Sequence, residues 1–99
     1  MTKNEPGKYD CYAKAADDEP LFTLRAKDPV APYLVMAWRY LRANELGAAM
    51  DSMANADAIW RRSGLPLLPL NSEKSIEAEQ CALAMKKWRE ASLSKGEEG

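Results

Sequence analysis

The chain has 99 residues, 46% of them apolar and 29% charged, the size and mixture of one small folded domain. Fourteen basic residues stand against fifteen acidic ones for a formal charge of −1, which excludes the cationic excess with which duplex-DNA binders release counterions. The longest apolar run, Val30 to Trp38, holds nine residues including Pro32, far short of the roughly 20 that span a bilayer.

In chain order, residues 1–7 are polar, include Pro6 and Gly7, and read as a flexible N-terminus. The first twenty residues hold no apolar h-region, so no cleaved secretory signal is expected and the reading is a cytoplasmic protein. Lys8–Tyr12 and Leu21–Arg25 are short runs on either side of the acidic loop Ala15–Pro20, which predicts either an irregular segment or a short β-hairpin. Asp28-Pro29 predicts an N-cap with proline at the first helical position, and Pro32 offers a second start within one turn. The helix expected over 29–46 is apolar around most of its circumference, through Val30, Tyr33, Leu34, Met36, Ala37, Trp38, Tyr40 and Leu41. Such a helix is either central to its domain or part of a subunit interface.

Leu46-Gly47 allows an end or a bend, and a second helix is predicted over 48–62, stopped at Ser63-Gly64 by a glycine suited to the left-handed region. In Leu65–Leu70 two prolines forbid a regular helix, and four leucines predict an extended connector packed against apolar surface. Asn71-Ser72-Glu73 predicts a cap and an acidic first turn for a third helix over 72–91, with Ala78, Cys81, Ala84, Met85 and Trp88 on its buried face. Residues 92–99 read as a disordered acidic tail. The expected fold is thus mainly α: a single helical domain over 8–91, with three helices packed around Trp38, Trp60 and Trp88 behind the N-terminal segment.

Chemistry-bearing residues are sparse. The chain has no histidine, the side chain best suited to acid–base work near neutrality. Cys11 and Cys81 lie far apart with no CxxC spacing, which offers neither a zinc site nor a base-activated thiol. No enzyme activity, metal or cofactor is expected. Each tryptophan is followed by arginine, at Trp38-Arg39, Trp60-Arg61 and Trp88-Arg89, a pattern read as core tryptophan with an arginine stem along its edge.

Two groups of candidate site residues remain. Arg25 and Lys27 precede a helix N-terminus, whose free N–H groups and dipole favour an anion; Tyr9 and Tyr12 could stack there, and Arg39 and Arg42 follow on the helix. The competing reading pairs these cations with Asp17, Asp18 and Glu19 on the surface. Tyr33, Met36 and Tyr40 form an adjoining apolar line, a candidate interface.

The runs Lys8–Tyr12 and Asp18–Asp28, with Ala31-Pro32, Trp38 and Ala82–Trp88 behind them, resemble small accessory proteins of tailed bacteriophages and prophages. The resemblance covers most of residues 8–40 and a short part of the third helix, while residues 44–75 depart from it. It implies a phage accessory protein in the cytoplasm of a bacterial host cell, without a catalytic motif, that binds a host protein such as a component of antiviral defence. The alternatives are a binder of an anionic small ligand such as a signalling nucleotide, and a structural or regulatory phage component. Self-association through the helix over 29–46 as a two-fold dimer is expected as well, with no membrane and no duplex nucleic acid among the partners.

Overall fold

Residues 2–8 and 11–94 are described by a computed structural model of the chain. The fold is mainly α, with α1 at Cys11–Lys14, α2 at Ala31–Arg42, α3 at Leu46–Ser63 and α4 at Glu73–Ser94. No strand occurs among the described residues; Cys11 and Tyr12, the end of the first expected run, lie in the short helix α1, and Tyr9 and Asp10 of that run lie outside the described residues. The chain divides into two compact units: the described parts of Met1–Phe22 and Leu68–Gly99 form one, and Thr23–Leu67 the other.

The second unit is an αα-hairpin of α2 on α3. Asp28 does not serve as the N-cap of α2. Its carboxylate accepts the Val30 N–H at 3.0 Å, and the helix starts at Ala31 with Pro32 in its first turn. The end of α2 also falls earlier than expected. Asn44, at φ 60°, donates its N–H to the Leu41 carbonyl at 3.2 Å, and Glu45 donates to the Tyr40 carbonyl at 2.8 Å. These are the two bonds of a Schellman motif, with asparagine in the left-handed place that glycine usually takes. The chain therefore reverses at Asn44, and Gly47 lies inside α3, where it makes no break. At the far end α3 stops as expected, at a left-handed Gly64. There Ser63 Oγ donates to the Trp60 carbonyl at 2.7 Å and accepts the Leu65 N–H at 3.2 Å.

Small side chains make the seam of this hairpin. Ala31 and Ala37 of α2 and Ala49, Ser52 and Ala56 of α3 are its buried residues. Ser52 Oγ crosses the seam to donate to the Tyr33 carbonyl at 2.9 Å, and among the described residues no buried side-chain nitrogen or oxygen lacks a partner. The expected core of three tryptophans is not formed. Trp38 is 64% exposed, and Trp60 and Trp88 are half-buried in different units. The reason is angular: successive helical residues turn by about 100°, so with Ala37 in the seam its neighbour Trp38 must point away from it.

In the other unit, Ser72 begins α4 as expected, its Oγ accepting the Ser75 N–H at 3.3 Å. A line of Ser75, Ala78, Cys81 and Trp88 is half-buried and Ser92 is buried. Ala84, expected on that face, is exposed, and Met85 is only partly covered. Cys81 Sγ lies 3.4 Å from the Leu21 carbonyl, as its weak donor. The helix runs to Ser94, past the point where the disordered tail was expected; residues 95–99 of that tail lie outside the described residues. Leu65, Leu67, Leu68 and Leu70 are exposed, Leu70 to 89%, contrary to the packed connector expected. Pro66 and Pro69 do keep the segment out of helix, but an extended chain turns successive side chains to different sides, so four leucines cannot share one supporting surface.

Candidate functional site

The cationic site anticipated at the start of α2 loses its backbone half. Arg25 and Lys27 are exposed, in a turn closed by Asp28 N–H donating to the Arg25 carbonyl at 2.9 Å. The Val30 N–H is taken by the Asp28 carboxylate. The Ala31 N–H is taken by the Asp28 carbonyl, and those of Tyr33 and Leu34 by the Val30 carbonyl, each at 3.1 Å. Pro32 has none. An anion arriving there would meet two flexible cations and no free donor of the first turn, with the Asp28 carboxylate already in the place a ligand would occupy.

Within this unit, Arg39 and Arg42 do not complete the group. Arg39 and Arg42 sit in the last turn of α2, roughly 12–17 Å along the axis from Ala31 at its start, at 1.5 Å per residue. Arg39 lies over the ring of its neighbour Tyr40, 5.4 Å from the centroid. Tyr12 belongs to α1 in the other unit, and Tyr9 lies outside the described residues. Asp17, Asp18 and Glu19 also belong to the other unit. There Glu19 closes a local turn, its carboxylate accepting the Ala16 N–H at 3.1 Å.

The interface group, by contrast, converges. Tyr33, Met36 and Tyr40 line one open groove of about 300 Å³ between α2 and α3, together with Ala48, Asp51, Ser52 and Asn55. The spacing explains the convergence: residues i, i+3 and i+7 share a helix face, and 48, 51, 52 and 55 repeat the same interval on α3. The two tyrosines are half-buried and Met36 is 38% exposed, so their rings and thioether form walls while remaining open to a ligand. Ser52 contributes the fixed floor through its bond to the Tyr33 carbonyl. Asp51 is the carboxylate among these lining residues. Asp51 and Asn55 were not singled out from sequence. Once α2 and α3 are taken as an antiparallel hairpin, their interval from Ala48 is the signal that finds them.

The opposite side of the hairpin is different in kind. It carries Leu34, Trp38 and Leu41 from α2 and Leu46, Met50 and Met53 from α3, each between 37% and 64% exposed. Elsewhere, Glu19, Pro20, Met85, Trp88 and Arg89 line a smaller cleft of about 200 Å³. Among the described residues no group of three His, Cys, Asp or Glu side chains clusters as a metal site would, and no helix is long and apolar enough to cross a membrane. Phenols, a thioether, a carboxylate and an amide around one groove are equipment for recognition: they supply contact area and hydrogen bonds. No family model matches the chain, and no curated protein or solved structure matches it either.

Proposed function

We propose that the protein is a non-catalytic binding module whose tyrosine groove docks a segment of another protein. The observation that carries this reading is the meeting of Tyr33, Met36 and Tyr40 with Asp51 and Asn55 in one groove. Tyrosine, methionine and arginine are the side chains that interfaces favour, because they join large contact area to a polar end. Arg39, set over Tyr40 at the rim, adds to the same chemistry. Asp51 selects the partner: an apolar or aromatic side chain in the groove with a lysine or arginine beside it. In a phage-type accessory protein, the role the resemblance of residues 8–40 suggests, that partner is a host protein in the bacterial cytoplasm, of which a defence component is one class.

The test is capture from bacterial lysate on immobilised wild type and on Tyr33→Ala with Tyr40→Ala. A prey held by the wild type and lost by a variant with unchanged helical circular dichroism supports the groove. Prey held equally by both, or none from any host lysate, overturns it. Asp51→Lys should weaken the same capture by repelling the partner's cation.

A second reading, an anionic small ligand, draws on Arg25 and Lys27, whose side chains form no ion pair among the described residues. With the first-turn N–H groups occupied, such binding is weak and salt-sensitive. Calorimetry with a cyclic or linear nucleotide on wild type and on Arg25→Ala with Lys27→Ala checks it. Equal affinities in the two proteins, or none in either, remove the reading.

A further inference from the structure

We infer that the side of the hairpin opposite the tyrosine groove is a self-association face, on which Leu34, Trp38, Leu41, Leu46, Met50 and Met53 dock against the same residues of a second copy of this chain. The helical turn separates the two sides. From buried Ala37, at about 100° per residue, Leu34, Trp38 and Leu41 fall to one side of the seam and Tyr33, Met36 and Tyr40 to the other. From buried Ala49, Leu46, Met50 and Met53 fall to one side and Ala48 and Asn55 to the other. In an antiparallel pair the corresponding sides coincide, so the six apolar residues share one surface.

Two observations favour a second copy as the occupant. The first is area. Taking each side chain's exposed share, the six leave roughly 600–800 Å² per copy, close to the ~800 Å² per partner of a standard-size interface and at or above the largest patch usual on a monomer. The second is the formal charge of −1, which opposes self-association very little.

The experiment is sedimentation of the full chain across a wide concentration range, for wild type, Trp38→Glu and Tyr40→Ala. Wild type and Tyr40→Ala are expected at twice the 11.0 kDa chain mass. Trp38→Glu is expected at the single mass, its dissociation constant raised ~100-fold or more as for a central aromatic anchor. Trp38 lies outside the seam, so the variant should keep its helical circular dichroism; if it does not, Met50→Lys replaces it. A single-chain mass for the wild type throughout overturns the inference, as does a doubled mass that Trp38→Glu and Met50→Lys leave intact. Dissociation by Tyr40→Ala alone would move the interface to the groove and overturn it too. Because the groove proposal is read from capture by Tyr33 and Tyr40 variants, the two can fail separately.

Discussion

Asn44 shows how much one backbone angle decides. Its φ of 60° would cost most side chains about 1–2 kcal/mol, and asparagine is among the few that enter that region readily. Asn44→Gly is therefore expected to match or exceed the wild type in stability, and Asn44→Val to lose about 1–2 kcal/mol, both read from urea unfolding. The seam has the opposite sensitivity, because it responds to volume. Ala49 is 1% exposed, so Ala49→Leu has nowhere to place its added methylene and methyl groups and should destabilise by about 1–3 kcal/mol. Ser52→Ala removes the bond to the Tyr33 carbonyl and should cost about 1 kcal/mol. Thermal melts of the two variants check the pair.

At the scale of the element, local chemistry was legible and orientation was not. Gly64 as a stop, Ser72 as a cap and proline in the first turn of α2 each follow from one or two residues acting on their own backbone. The alignment of Tyr33, Met36 and Tyr40 follows from spacing alone. Which arc of α2 would be buried did not follow, because a helix apolar nearly all round presents several equivalent arcs to any periodicity argument. The choice falls to the partner helix, whose small Ala49, Ser52 and Ala56 admit close approach where α2 is equally small, at Ala37. Large side chains are the expected core because burying them releases the most free energy, yet Trp38, Met50 and Met53 lie outside the seam, exposed to between 55% and 64%. Asp28 is a similar case: residue type marks a helix start, but the turn from Arg25 carries its carboxylate to Val30. Gly47 has nothing within 4 Å of an added Cβ. Gly47→Ala should thus stabilise α3 by up to about 1 kcal/mol, measured as a rise in melting midpoint.

For the whole molecule, the proposed division of the hairpin into a groove and a self-association face would link folding to association. If the Trp38 side is covered by a second copy, unfolding and dissociation are one equilibrium, and the melting midpoint should climb with protein concentration. Differential scanning calorimetry at two concentrations tests this; a midpoint independent of concentration would place all the stability within one chain. The alanine seam has a further thermal consequence. The heat capacity of unfolding comes chiefly from newly hydrated apolar surface, and among the described residues the fully buried apolar ones are Ala31, Ala37, Ala49 and Ala56. A lone chain therefore hydrates less additional hydrocarbon when it opens than a chain of this size with large side chains fully buried, and its stability curve against temperature is expected to be the shallower of the two. Covering Trp38, Met50 and Met53 would restore that hydrocarbon to the unfolding reaction, so the curvature of stability with temperature distinguishes the solitary chain from the assembled one.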